Sequence, residues 1–266
     1  MRRWASWALA GAALLCAACG RDDVLGARSE GGAAGGAEVV VFAAASLTEA
    51  FTELGDLLEG RSNLAVTFNF ASSSDLAVQI AEGAPADVYA SADALQMKVL
   101  ADAGLAVDPV DFATNRLVII TPEDNPAGLE SPDDLARAGV KLVLGGPEVP
   151  AGNYARRAFE ELGLAGSIEP NVVSNEDDVK QVVTKVRLGE ADAGVCYVTD
   201  VTPEVESEVT TIEFPQEAGI EARYPVTVLS EAPNPDGARA FYDLVLSDDG
   251  REVLQRHGFG APQRAR

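Results

Sequence analysis

From Glu38 almost to the C-terminus, short apolar runs alternate with segments of helical spacing. That alternation restricts the chain to few architectures. "EVVVF" (38–42) is followed by Leu47, Ala50, Phe51, Leu54, Leu57 and Leu58, spaced as on one helix face. "LAVTFNF" (64–70) leads to a helix over about 74–82, and "DVYAS" (87–91) to another ending near Ala103. Strands that alternate with helices form mostly parallel sheets covered on both faces. A second unit begins near Arg116 with the buried run "RLVIIT" (116–121). "SPDDLARA" (131–138) follows as a helix start, with a serine cap, a proline at the first position and acids in the first turn. Next come "KLVLGG" (141–146), a helix over about 151–162, "SIEPNVV" (167–173) as a strand, a helix over about 176–188, and "AGVCYV" (193–198). "YPVTVL" (224–229) and two helices near 235–247 and 248–257 close the chain. No internal repeat is present. The expected fold is α/β in two lobes, residues 38–114 plus 225–266 forming one and 115–224 the other. Ligands of such sheets sit beyond the carboxyl ends of the strands, here in the cleft between lobes.

The first residues read as a processing segment. Met1-Arg2-Arg3 is a positive start, and Trp4 to Leu15 is apolar but too short to span a bilayer as a mature helix. "LLCAACGRDD" resembles a bacterial lipobox, with Ala17 and Ala18 before Cys19 and Gly20 after it. Residues 1–18 are therefore expected to be a signal peptide, Cys19 the lipidated residue and 19–37, rich in Gly and Ala, a flexible tether. Ordinary secretion with cleavage nearby is the alternative. Both place the mature protein outside the cytoplasm, on the membrane's outer face if Cys19 carries lipid. Losing Arg2 and Arg3 leaves 18 basic against 42 acidic residues, a net charge of −24. Such a chain repels the phosphate backbone and is a poor nucleic-acid binder. Of three cysteines only Cys196 lies in the folded part, so neither a disulfide framework nor a cysteine metal site is expected. Both tryptophans, Trp4 and Trp7, fall in the signal.

Four strand-to-helix junctions share one chemistry. They are "ASLTE" (45–49), where Ser46 and Glu49 have capping-box spacing, "ASSSDLA" (71–77), "VPAGNYA" (149–155) and "SNEDDVK" (174–180). The first turn of a helix has amides without internal partners and about half a positive charge. Small residues let a ligand approach that backbone, so several such ends aimed at one cleft can hold an oxyanion without lysine or arginine. Taken singly, each hydroxyl at a helix start is simply a cap.

The wording of these segments goes further. "VFAAASLTEAF", "FASSSDLAVQIAEGAPADVYASAD", "VPAGNYA", "EDDV", "GVCYVTD" and "YPVTVL", in this order from Glu38 to about Gly260, resemble the periplasmic molybdate-binding proteins of bacterial ABC importers. The resemblance implies a two-lobed, type II periplasmic binding protein fold. It also implies an oxyanion held by two serines, a tyrosine and backbone amides of small residues. Carried over by motif, these are Ser46, Ser73 (the middle of the three serines), Ala151, Val179 and Tyr197. Gly146 stands where the family often has Asp, and "NEDDV" contains an extra acid next to Val179. The implied ligand is molybdate or the similarly sized tungstate, with no cofactor and no direct cation ligand. The implied partners are the permease and ATPase of an importer, served by a monomer whose lobes hinge near 113–117 and 222–226.

The chemistry agrees with the resemblance. Molybdate near neutral pH is a fully deprotonated dianion, so every oxygen needs a donor and none offers a proton. Hydrogen bonds to a charged partner contribute about 1.5–3 kcal/mol each. Six or seven exceed the ~8–12 kcal/mol of micromolar to nanomolar binding, even after desolvation and closure costs. Glu176, Asp177 and Asp178 read as a helix start rather than cation ligands, His257 as a helix-end residue, and Cys196 as a buried strand residue. Two alternatives stand beside this reading. One is a receptor for another tetrahedral oxyanion such as sulfate. The other is a secreted hydrolase using Ser46 or Ser73, which would need an activating base and a nucleophile elbow that this sequence does not supply.

Overall fold

The structure, a computed structural model, describes residues 37–262. The expected signal peptide, Cys19 and nearly all of the expected tether lie outside the described residues. In chain order, strand β1 (Ala37–Ala44) leads through a 3-10 turn at Ala45–Leu47 into helix α1 (Thr48–Arg61), and β2 (Leu64–Ala71) into α2 (Ser73–Ala81). Then β3 (Val88–Ala90) leads into α3 (Ala94–Asp102), followed by β4 (Val110–Asn115) and β5 (Leu117–Pro122). β6 (Leu142–Gly145) feeds α4 (Pro150–Glu161) and the short α5 (Ala165–Ile168). β7 (Val172–Glu176) feeds α6 (Val179–Arg187), and β8 (Ala193–Tyr197) is followed by the short α7 (Pro203–Glu206) and β9 (Val209–Glu213). Finally β10 (Ala222–Val228) precedes α8 (Pro235–Leu246) and α9 (Asp248–Arg256).

These strands form two five-stranded sheets, β2-β1-β3-β10-β4 and β7-β6-β8-β5-β9. The expectation of mostly parallel sheets needs one refinement, because each contains a single reversed strand. β10 runs antiparallel to both β3 and β4, and β5 to both β8 and β9. The reason is topological. β4 and β5 are separated only by Arg116, so the chain passes straight from one sheet into the other, and it returns through residues 214–221 into β10. A strand that enters a sheet from the other sheet's side arrives pointing the opposite way.

Both faces of the first sheet are covered, which explains the near-continuous apolar run of β1. Val39, Val41 and Ala43 belong to one core with Phe51 of α1 and Phe241 of α8. Phe42, on the other face, packs with Leu76, Ile80, Met97 and Leu100 of α2 and α3. Phe51 lies 5.7 Å from Phe112 and 5.5 Å from Phe241, ring centre to ring centre. "SIEPNVV", read as a strand, instead holds α5 and a 3-10 turn at Glu169–Asn171, and strand pairing begins only at Val172. Pro170 sits inside that turn, where its missing N–H breaks no ladder. "SPDDLARA" forms a 3-10 helix, Pro132–Ala136, with Ser131 and Asp134 in a capping box.

Gly152 places α4 against the second sheet. A Cβ built there would lie 2.1 Å from the Gly145 carbonyl oxygen and 2.3 Å from that of Gly146. The small residue thus serves a close approach of the chain to itself. Gly152→Ala should destabilise the fold by about 2–4 kcal/mol, as expected of overpacking at a rigid backbone contact. Denaturant unfolding measures this, and a change below ~0.5 kcal/mol would contradict the packing account. Gly146 has no such constraint, since a Cβ there would meet only ordinary contacts at 3.6 Å and beyond.

Candidate functional site

Register brings the first two junctions together. Ala44 and Ala71 are partners across β1 and β2, and Ala43 pairs with Ala90 of β3. Ser46, Ser73 and Ala92 each follow the last residue of their strand by two positions, so three adjacent parallel strands deliver them to one edge. From the second sheet, α4 starts after β6, α6 starts after β7, and Tyr197 ends β8. One pocket is lined by Ala44, Ala45, Ser46, Ser72, Ser73 and Ala92 on the first side. Val149, Pro150, Ala151, Val179 and Tyr197 line it on the second. All five residues singled out from the sequence therefore line one space. The space is tight, with an accessible volume of about 10 Å³. Among the described residues no charged side chain lines it.

The hydroxyls differ in how they are held. The expected capping box of Ser46 and Glu49 does not form: α1 begins at Thr48 without a side-chain cap. Ser46 Oγ instead lies 2.9 Å from the Tyr224 hydroxyl, and Glu49 turns to Lys180. Among the three serines, Ser72 takes the capping role by accepting from the Asp75 amide at 3.2 Å. That leaves Ser73 as the first residue of α2, with its Oγ accepting the Ala92 amide at 2.9 Å. The Tyr89 hydroxyl donates to the Ser73 carbonyl at 2.8 Å and holds that turn in place. Ser46, Ser73 and Tyr197 are all buried, at 3%, 1% and 1% exposed. The Tyr197 hydroxyl has no hydrogen-bond partner among the described residues. Burial pushes its pKa well above the usual phenol value, so it remains a donor.

Ala151 and Val179 lie at the first turns of α4 and α6, where amides have no partner one turn earlier. Val149 offers no side-chain cap to α4, whereas Asp178 caps α6 by accepting from the Gln181 amide at 3.0 Å. Glu176 is the last residue of β7 rather than a helix residue; it accepts from Ser174 at 2.6 Å and from Lys185 at 2.7 Å. Among the described residues no group of three or more His, Cys, Asp or Glu is arranged to hold a metal ion. His257 follows α9 as its C-cap and lies 2.7 Å from Glu53, and Cys196 is buried in β8. Neither Ser46 nor Ser73 is hydrogen-bonded to a histidine or a carboxylate among the described residues.

Several supporting residues escaped the sequence reading. Tyr224 backs Ser46. Lys180, next to Val179, lies 2.8 and 2.9 Å from the two Glu49 carboxylate oxygens and 3.4 Å from Asp200. Asp200, 1% exposed, accepts the Tyr197 amide at 3.0 Å through Oδ2, while Oδ1 makes no hydrogen bond among the described residues. Burial pushes the Asp200 pKa up to about 6, against the pull of Lys180 and the Tyr197 amide. Burial alone would lower Lys180; the charges of Asp200 and Glu49 outweigh it and raise the amine above its usual value. Asp200 lies within local reach of Tyr197, three residues on, whereas Tyr224 reaches Ser46 from a distant strand of the same sheet and Lys180 reaches Glu49 from the other lobe, so no local spacing joins those pairs.

Comparison with known proteins agrees with the arrangement. The molybdate-binding protein ModA of Mycobacterium tuberculosis (strain ATCC 25618 / H37Rv) is 43% identical over 248 residues, covering 92% of each chain. The substrate-binding domain of a putative molybdenum ABC transporter from Clostridium difficile superposes with a TM-score of 0.65 at 31% identity, covering 85% of this chain and 100% of that one. The Azotobacter vinelandii periplasmic molybdate-binding protein superposes with a TM-score of 0.76 at 19% identity, over 85% and 100% of the two chains, and it shows the shared fold. The family profile of bacterial extracellular solute-binding proteins matches residues 39–260. With its two helix-flanked sheets and a pocket built from strand ends, the chain belongs to the bacterial extracellular solute-binding protein family.

Proposed function

We propose that this protein captures molybdate, and tungstate equally by size and charge, between two lobes and delivers it to the permease and ATPase of an ABC importer. One observation carries the reading: Ser46, Ser73, Ala151, Val179 and Tyr197 line a small pocket where, among the described residues, there is no charged side chain and no partner for the tyrosine hydroxyl. Only an anion that accepts at every oxygen suits three hydroxyl donors and the first-turn amides of α2, α4 and α6. The lobes correspond to the two sheets, and Arg116 together with residues 214–221 forms the pair of straps about which they close. The protein acts as a monomer outside the cytoplasm, tethered through lipidated Cys19. Transport binding, not catalysis, fits serines that lack a base.

Calorimetric titration of protein lacking residues 1–19 tests the reading. Molybdate and tungstate should bind with micromolar or tighter affinity, and sulfate and phosphate at least ~100-fold more weakly. Ser46→Ala and Ser73→Ala should each weaken molybdate binding by about 10- to 100-fold, the loss of one hydrogen bond to a charged oxygen. A preference for sulfate, or wild-type affinity in both variants, would reject the assignment.

A further inference from the structure

The hydrogen-bond pattern behind Ser46 has a fixed direction. The Arg116 amide donates to Asn115 Oδ1 at 2.9 Å, which orients the side-chain amide. Asn115 Nδ2 therefore points the other way, donating to Thr199 Oγ1 at 2.9 Å and to the Tyr224 hydroxyl at 3.3 Å. An NH2 group cannot accept. A phenol has one hydrogen, and between Asn115 and Ser46 only Ser46 Oγ can take it, at 2.9 Å. Ser46 Oγ is then an acceptor towards Tyr224, and it has no second partner among the described residues. Its own hydrogen turns into the pocket. Asn115, Tyr224 and Ser46 are 2%, 0% and 3% exposed, so water does not compete for these bonds. Ser73 is set in the same sense by a different route, since its Oγ already accepts the Ala92 amide.

We infer that Asn115 and Tyr224 are positioning residues that polarise Ser46 as a donor, and that this relay makes the pocket discriminate against oxyanions carrying a proton. The inference rests on the proposed oxyanion role of the pocket and adds a specificity mechanism to it. An unconstrained serine can rotate and accept from a protonated anion; Tyr224 occupies one of the two acceptor lone pairs of Ser46 Oγ, which favours presenting its hydrogen to the anion over accepting from it. Asn115 ends β4 next to Arg116, and Thr199 follows β8 of the other sheet, so the relay is anchored from both sheets. Burial also keeps Tyr224 un-ionised by pushing its pKa well above the usual phenol value, so its hydrogen remains available.

The test compares wild type, Tyr224→Phe and Asn115→Ala in mildly alkaline buffer. Molybdate is titrated directly, and sulfate and hydrogen phosphate by competition. The latter two are dianions of nearly equal size that differ by one proton. Tyr224→Phe should lose about tenfold in molybdate affinity, and its sulfate-to-hydrogen-phosphate preference should shrink at least threefold, because hydrogen phosphate gains a turned Ser46 oxygen. Asn115→Ala should move both quantities in the same direction. Circular dichroism melting of each variant checks that it folds, and the two substitutions damage packing differently, so either folded variant decides the question. A purely structural role would lower the affinity for both competitors in proportion. An unchanged competitor ratio in a folded variant therefore overturns the relay, as does unchanged molybdate affinity. Wild-type protein that fails to bind molybdate would overturn the underlying reading as well.

Discussion

Tyr197→Phe will bind molybdate about 10- to 100-fold more weakly while the ligand-free protein stays as stable as wild type or becomes more so. The two effects have one cause. The hydroxyl is buried without a partner among the described residues, so in the empty pocket it costs about 1–3 kcal/mol of unmet hydrogen bonding. Phenylalanine removes that cost and keeps the ring, which packs 5.8 Å from Tyr224. With the anion present, the same hydroxyl contributes a hydrogen bond to a charged oxygen, about 1.5–3 kcal/mol, and its loss gives the stated change in affinity. Calorimetry and thermal melting of one protein sample read both. A variant that loses stability together with affinity would show that the hydroxyl serves the fold instead.

Lys180→Met will destabilise the protein by about 3–5 kcal/mol at mildly alkaline pH, because it leaves the buried Asp200 carboxylate without its counter-charge. The loss should fade on acidification. In wild type the Asp200 pKa is about 6 in the folded protein against an ordinary 3.8, so the native state holds this proton more tightly than the unfolded chain. That preference contributes fully below about pH 3.8 and disappears as pH rises through 6, a difference of about 3 kcal/mol from this one group. Without Lys180, the largest influence holding the value down, the carboxyl keeps its proton to higher pH, and the decline extends further into the alkaline range. Asp200→Asn should flatten the wild-type slope. Urea unfolding across pH, comparing the three proteins, tests the sign directly; parallel curves for wild type and Asp200→Asn would refute it.

What the sequence revealed and what it hid follow from the range of the interactions. β1, β5 and β6 were legible because strands covered on both faces must be continuously apolar, as "VVVF", "LVII" and "LVLG" are. β4 and β9 went unseen: both are edge strands, and "VDFATN" and "VTTIE" mix polar and apolar residues as an exposed edge permits. The helix starts were visible in their small and hydroxyl residues. Which serine caps and which faces the pocket was not readable from "SSS" alone, although the family motif pointed to Ser73. Glu49 illustrates the limit best. Its spacing from Ser46 suits a capping box, yet an ammonium group from the opposite sheet, 131 residues later, takes it instead. Local pattern cannot weigh a partner that arrives only through tertiary folding.

The return of the chain through residues 214–221 has a consequence for how the protein is made. Ala90 of β3 gains its second partner, beside Ala43 of β1, in Val226 of β10, Ala113 of β4 pairs with Tyr224, and Ser46 meets Tyr224 from 178 positions away. A ribosome has almost finished before the first sheet can close. Pairings this distant are slow because a long loop must be ordered before any contact rewards it. The first sheet of the emerging polypeptide therefore stays unfinished until synthesis has nearly ended, whereas every strand of the second sheet is already made.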